Sequence, residues 1–306
     1  MKRLREDGSP GRRLQHPGCC VTTDSVVVSL AAGVLPDAAL CHVVTQSYNR
    51  GMSLTAVQET DSKVDKSDAR VRRMFGEIAG RYDFLNHLLS AGVDKYWRWR
   101  TVRKVPPQGE RPVLDLCTGT GDLAIAFSRA SRGRTPIVAC DFCHEMLVLG
   151  EAKGRQHRER LGSNTAEGQI TFIEADTQRL PLSADHFQIV SVAFGLRNVS
   201  DTDRGLAEMV RVCAAGGKVA VLEFSMPHWQ PFRAVYGWYF RNVLPRIGQL
   251  LSGNRSQAYR YLPESVGEFP SGEALAERMR QAGLIEIEIY PMTLGVATLY
   301  LGTKRA

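Results

Sequence analysis

From Arg111 to Lys304, short apolar runs alternate with amphipathic stretches, the pattern left by strands and helices that succeed one another in a doubly wound α/β sheet. The predicted strands are Val113–Leu116, Pro136–Cys140, Ile170–Glu174, Phe187–Ala193, Lys218–Phe224, Leu284–Tyr290 and Ala297–Gly302. Only Pro291–Val296 separates the last two, too little for a crossover helix, so the seventh strand has to run antiparallel to the sixth. Upstream, Val71, Met74, Phe75 and Ile78 form a helical stripe within Asp65–Ala79, and further helices are expected to open at His144 and to cover Glu273–Ala282. Residues 1–60 keep no period and are punctuated by Gly, Pro and Ser, which predicts a poorly ordered extension ahead of a folded domain over 61–306. Glu6 and Asp7 interrupt the basic start of that extension as a targeting peptide, and Met52 is at least as good an initiator.

Composition narrows the function classes. With 306 residues, 43% hydrophobic and 23% charged, the chain can build one large α/β domain. The net charge of +7 is dispersed among acidic neighbours and forms no basic stripe, so no nucleic-acid partner is expected. No apolar run reaches the roughly 18–20 residues of a membrane span; Ser25–Leu40 is broken by Gly33, Pro36 and Asp37. Seven scattered cysteines point to reduced thiols and a cytoplasmic setting. Cys140 and Cys143 form a C-x-x-C without a second pair, which favours small buried residues over a zinc site, and no metal is expected.

After the first strand, Gly119-Thr120-Gly121-Asp122-Leu123-Ala124 matches G-x-G-x-x-G/A, with Asp141 standing 20 residues past Gly121. By spacing alone this is equally a dinucleotide fingerprint. Charge separates the two readings. Asp115 and Asp122 flank the turn with no Lys or Arg between them, so a pyrophosphate would meet two carboxylates. S-adenosyl-L-methionine carries a sulfonium and an ammonium instead, which carboxylates attract. Asp141, at a strand's carboxyl end, is expected to accept from ribose hydroxyls or to cap the helix opening at His144. Asp176 and Thr177 end the third strand, where an adenine edge would lie.

Three blocks carry a more specific signal. Arg81-Tyr82-Asp83-Phe84-Leu85-Asn86 with Ser90, Gly92 and Trp97, then Phe194-Gly195-Leu196-Arg197-Asn198-Val199, then Arg211-Val212 leading to Gly216-Gly217 and Leu222-Glu223-Phe224-Ser225 closely resemble the ubiquinone/menaquinone biosynthesis C-methyltransferase family. The resemblance runs from about Val64 to Lys304. It implies a class I methyltransferase fold, a seven-stranded Rossmann-like sheet whose last strand is antiparallel. It also implies methylation of a ring carbon of a prenylated quinol, with demethylmenaquinol favoured over 2-methoxy-6-polyprenyl-1,4-benzoquinol, and leaves room for a homodimer. Arg197 and Asn198 leave the fourth strand beside the expected methyl group, where a guanidinium can stabilise a developing phenolate; the plain alternative is an ion pair of Arg197 with Asp201. Tyr82 is expected to close over the cofactor. The chain departs from the family at Asp94-Lys95, where a histidine and an arginine are usual, and at Ala214-Ala215. It departs again at Cys117-Thr118, where Gly-Gly is frequent, and at Ala193, where some members have a serine. Two rival readings keep the fold: a methyltransferase for another hydrophobic small molecule, and a non-catalytic partner in quinone synthesis.

Residues 226–270, between the fifth strand and the next helix, far exceed a loop and hold nine of the 24 aromatics, with five arginines and two glutamates. This helical insertion is expected to form an apolar lid over the acceptor and to touch the headgroup layer of a membrane peripherally, at the inner face of the cell membrane. A helical subdomain that simply packs on the sheet is the alternative.

Overall fold

Strand β1 (Val113–Leu116) is buried on both faces, as the central strand of a covered parallel sheet must be. The computed structural model describes residues 64–161, 169–227, 229–247 and 258–306; the expected extension lies outside them. β1 is flanked by β2 (Ile137–Asp141) and β4 (Phe187–Ala193), β3 (Ile170–Glu174) lies outside β2, and the order is β3-β2-β1-β4-β5-β7-β6. β1 to β5 are parallel, and β7 (Ala297–Lys304) runs antiparallel to both β5 (Cys213–Phe224) and β6 (Leu284–Met292). The antiparallel hairpin read from the sequence is present, with β7 inserted between its neighbours.

Side chains alternate across the sheet. Leu114, Leu116, Val190 and Val192 pack on one face with Leu206, Met209 and Tyr300, while Val113, Ile137, Ile189 and Leu222 pack on the other with Phe127 and Trp97. The helices that cover these faces are α1 (Asp68–Leu89), α2 (Val93–Lys104), α3 (Asp122–Ala130), α4 (His144–Leu161), α5 (Thr202–Val212), α6 (Gln230–Trp238), α7 (Ala258–Glu268) and α8 (Glu273–Gln281). A π-helical turn, Tyr239–Val243, continues α6.

Two boundaries differ from the sequence reading by more than three residues. α1 runs on to Leu89, because Tyr82, Leu85 and Leu89 continue the helical stripe, and it stops where Gly92 at φ 76° lets its N–H reach the His87 carbonyl at 2.7 Å. β5 begins at Cys213, five residues early; Phe187 pairs with Cys213 and Ile189 with Lys218, so Ala214–Gly217 form an irregularity within the ladder rather than a turn ahead of it.

Every strand of the parallel half delivers its next segment to the carboxyl edge of the sheet. The glycine turn follows β1, Asp141 ends β2, Ala175–Thr177 follow β3, and a 3₁₀ turn at Leu196–Asn198 follows β4. Glu223 lies at the end of β5, on the same edge.

Candidate active site

The turn after β1 needs three left-handed residues. Gly119 and Gly121 sit at φ 57° and 81°, and Cys117, where glycine is frequent in the resembling family, sits at φ 49°. The backbone thus keeps a glycine's geometry despite the side chain. A Cβ on Gly121 would stand 3.0 Å from the Phe172 ring, so the turn packs tightly against β3.

Two buried carboxylates anchor the turn. Asp115 accepts from Thr118 Oγ1 at 2.6 Å and from Ser191 Oγ at 2.8 Å. Burial outweighs these bonds and pushes its pKa up to about 6. Asp141 accepts the Gly119 N–H at 2.8 Å and the Cys143 N–H at 2.9 Å, and burial raises its pKa as well. Asp141 therefore ties the glycine turn to the start of the segment leading into α4. Asp176 is exposed and accepts from the Gln178 backbone at 2.9 Å; Thr177 is buried, its hydroxyl 3.4 Å from Cys117 Sγ.

The raised pKa of Asp115 has a sign that can be checked. The unfolded chain releases this proton near pH 4 and the folded chain near pH 6, so ionising it costs folded stability as pH rises through that window. Asp115→Asn is expected to gain on the wild type between pH 4 and 6.5 by up to about 3 kcal/mol, read by denaturant titration. A difference that stays flat or shrinks with pH would refute the raised pKa.

Asp122 behaves differently from the sequence reading. It is not a free carboxylate beside the turn: Lys153 Nζ reaches it at 2.5 Å and Arg98 at 2.9 Å, and although burial pushes its pKa up, these cations hold it below the usual range. Lys153 also bonds Asp83 at 2.7 Å, and Asp83 accepts from Thr120 Oγ1 at 2.5 Å. Arg98 continues the chain to Asp94, which His87 Nδ1 meets at 2.6 Å. Asp94 replaces the family's usual histidine, yet a histidine from α1 stands against it. The cation that His87, Asp94 and Asp122 gather around is a guanidinium.

Arg197 is buried and pairs with Glu223 at 3.1 Å, while its backbone N–H donates to the same carboxylate at 3.2 Å and one guanidinium N–H to the Phe194 carbonyl. The alternative pairing with Asp201 does not occur: Asp201 caps α5 by accepting the Arg204 N–H at 3.0 Å. Glu223 was visible in the sequence as part of a block, without a role. Among the described residues, only Arg197 Nε, Asn198 Oδ1 and Tyr261 Oη are buried side-chain polar atoms without a partner. Buried polar groups are nearly always satisfied, so these mark where a ligand is missing from the bonding pattern.

Two cavities meet here. One, of about 50 Å³, is lined by Gly119, Asp141, Asp176, Thr177, Asn198 and Asp68. It has three carboxylates and no Lys or Arg, a charge pattern that repels a phosphate ligand without help from Asp122. The donor set, carboxylates and a free amide oxygen, suits a ligand rich in hydroxyl and amine hydrogens. The other cavity, of about 260 Å³, is mostly apolar and aromatic, with Trp97, Phe224, Phe232, Tyr236, Phe240 and Tyr261 in its wall, and Asp94, Arg98, Asp115, Asp122 and Arg197 among its polar lining. Phe75, Tyr82, Cys117, Ala193 and Phe194 line both and form the partition. Tyr82 thus stands between the two spaces, its ring 3.7 Å from where a Gly119 Cβ would be, and burial raises its hydroxyl pKa.

The insertion supplies much of the second cavity: Phe232, Tyr236, Tyr239 and Phe240 face inward, whereas Trp229 and Trp238 are exposed. His228 and the side chain of Tyr259 lie outside the described residues. Cys140 and Cys143 are both buried free thiols, in keeping with the small-residue reading.

The sequence model of the ubiE/COQ5 methyltransferase family matches residues 63–304. A demethylmenaquinone methyltransferase of Deinococcus radiodurans is 44% identical over 243 residues, covering 79% of this chain and 95% of its own. The ubiquinone/menaquinone biosynthesis C-methyltransferase UbiE of Geobacter sp. strain M21 is 43% identical over 235 residues, covering 77% and 96%. Among solved structures, a SAM-dependent methyltransferase from Aquifex aeolicus shares the fold with a TM-score of 0.50 at 15% identity, over 72% of this chain and 97% of that one.

Proposed function

Because the chain belongs to the ubiE/COQ5 methyltransferase family, we propose that it methylates a ring carbon of a prenylated 1,4-quinol with S-adenosylmethionine, and that the acceptor is demethylmenaquinol. The observation that carries this reading is Arg197, a buried guanidinium with one unpartnered N–H in the wall of an aromatic cavity that adjoins an acidic one. The name of the Deinococcus relative favours the naphthoquinol over the benzoquinol.

S-adenosylmethionine, when bound, supplies an electrophilic methyl group. Asp141 would hold ribose hydroxyls, Asp176 and the Thr177 amide the adenine edge, and Gly119 allows the backbone to approach, whereas Thr120 lines the aromatic cavity with its hydroxyl on Asp83 and Gly121 lines neither, its missing Cβ leaving room for the Phe172 ring. Asp115 sets the floor of the turn through Thr118. Asn198 offers its free amide oxygen, and Tyr82, in the partition, keeps water from the space where the two ligands meet.

Arg197 stays protonated and is a poor base, so its part is to stabilise the phenolate oxygen that forms as the ring hydroxyl gives its proton to a single water; the ring becomes aromatic again when the methylated carbon releases its own hydrogen as a proton and the oxygen regains one. A quinol hydroxyl with a pKa near 10 needs only modest help. Glu223 holds the guanidinium in place through its side chain and the Arg197 N–H. A cavity of about 260 Å³ takes the ring and the first part of a prenyl tail, so the remainder stays outside, in a membrane that the protein touches peripherally.

Quinones from a strain lacking its own C-methyltransferase, complemented with this chain, should show restored menaquinone by mass spectrometry. Calorimetry should show binding of S-adenosylhomocysteine and none of NADH. Accumulation of demethylmenaquinone despite cofactor binding would overturn the acceptor, and absence of cofactor binding would overturn the enzyme.

A further inference from the structure

Exposed apolar side chains are unevenly placed on this molecule. Ten large ones are exposed among the described residues; eight of them lie on α1, α2, α6 with its N-cap, and the Thr293–Gly295 turn, and the other two, Val148 and Leu161, lie on α4. Leu88, Tyr96, Val235, Trp238 and Leu294 each adjoin, in sequence, a residue that lines it: Leu89, Trp97, Tyr236, Tyr239 and Thr293. Phe84 lies one turn before Leu88 on the same face of α1, and Tyr96 and Trp99 share a face of α2, their rings 5.9 Å apart. Trp229 precedes the first turn of α6 and is 63% exposed, and Trp238, at 59%, ends that helix.

The elements that carry these side chains are bonded to one another. Tyr239 Oη donates to the Leu89 carbonyl at 3.2 Å, joining the insertion to the end of α1, and Trp97 Nε1 donates to Thr293 Oγ1 at 2.8 Å, joining α2 to the turn before β7. α6 and α2 meet where Phe232 and Tyr236 pack into the cluster around Trp97. The exposed residues are therefore the outer flank of the same walls whose inner flank forms the cavity.

Charge identifies the occupant. Lys95, Arg100 and Arg103 are exposed on α2, and Arg233 and Arg241 on α6 and the π-helical turn. The only acid on these segments, Asp94, is buried and already paired. The Arg103 guanidinium lies 5.1 Å over the exposed Trp99 ring. A second copy meeting this face about a two-fold axis would set the same cations against each other. An anionic lipid surface would neutralise them while taking up the aromatics at headgroup depth. No described helix is long and apolar enough to cross a membrane, which leaves contact in the interfacial plane as the mode for these helices.

We propose that the face formed by the end of α1, α2, α6 and the Thr293–Gly295 turn docks on an anionic bilayer surface, with the cavity mouth opening against the lipid. The proposal rests on the reading of the acceptor as a prenylated quinol, and the test keeps the two apart. The full chain is mixed with vesicles of phosphatidylcholine alone and with phosphatidylglycerol added. Binding is followed by co-sedimentation and by quenching of tryptophan fluorescence with brominated lipid. Three of the four tryptophans lie on this face, so their emission reports on it.

Binding is expected only with phosphatidylglycerol, with quenching, and weakening as salt is raised. Arg100→Glu with Arg103→Glu is expected to lower partitioning by more than about tenfold, and Trp99→Ser with Trp238→Ser by a similar factor. S-adenosylhomocysteine affinity should stay as in the wild type, which shows that the variants fold. Both variants should still methylate a short-tailed acceptor in solution and fail on a long-tailed one in vesicles. No binding to anionic vesicles, or binding that ignores these substitutions, overturns the docking face. So does a solution dimer that the tryptophan substitutions dissociate while vesicle binding persists, since a second copy would then own the surface. Failure of the wild type on the short-tailed acceptor overturns the acceptor reading, whatever the vesicles show.

Discussion

Arg197→Ala is expected to lower kcat by roughly 10²–10³-fold, the scale of losing one preorganised donor to a developing oxyanion. The same change leaves Glu223 as a buried charge without its partner, which costs on the order of 3–5 kcal/mol. A protein that merely unfolds would mimic a catalytic loss, so a second variant separates the two. Arg197→Met with Glu223→Gln removes both charges at similar volume and is expected to hold stability within about 2 kcal/mol of the wild type while staying as inactive as the alanine variant. Denaturant titration and S-adenosylhomocysteine calorimetry report on the fold, and initial rates report on the chemistry. Normal turnover in a folded, cofactor-binding double variant would remove Arg197 from the mechanism.

The second large effect is steric. A Cβ on Gly195 would lie 2.2 Å from Cys117 Cβ, a separation that no side-chain rotation can relieve, because both atoms are fixed by backbone. Gly195→Ala must therefore displace either the glycine turn or the 3₁₀ turn that carries Arg197 and Asn198. We expect a loss of about 2–3 kcal/mol in stability and at least about tenfold in cofactor affinity. Cys117 itself strains the turn, since φ 49° suits glycine better than any other residue. Cys117→Gly alone is expected to be neutral or mildly stabilising, and the Cys117→Gly, Gly195→Ala pair should recover most of both losses. Losses that simply add in the double variant would mean that the two segments do not press on each other.

The fold was legible because its signals are local. The short apolar runs that became strands, the Pro291–Val296 gap and the glycine turn at Gly119 and Gly121 are properties of short windows, and all appear in the structure at nearly the expected positions. Much of the site was not local. Asp122 read as a free carboxylate because its cations come from Arg98, on the helix before β1, and from Lys153, on the helix after β2. Arg197 finds Glu223 across 26 residues, through the pairing of β4 with β5, whereas Asp201 was merely near in sequence. Charge proximity along a chain says little once parallel strands juxtapose distant segments. The aromatic count of the insertion was sound, but it could not tell Tyr236 and Phe240, which face the cavity, from Trp229 and Trp238, which face outward; nor could it foresee that α1 and α2 extend the outward face.

The position of β7 bears on how this fold is made. β7 is synthesised after β6 yet lies between β6 and β5, pairing with β5 from Lys218 to Phe224. While a ribosome is still producing residues 225–296, five parallel strands can assemble, but β5 presents a bare edge that includes Val219, Val221 and Leu222. Such an edge is a template for the wrong partner, another nascent chain among them. β6 cannot cover it by docking directly, because β7 has to enter first. The sheet is therefore committed late in synthesis, and Glu223, whose neighbour across that edge is Thr298, acquires its final surroundings only then. The carboxylate that holds Arg197 in place is among the last parts of the site to be secured.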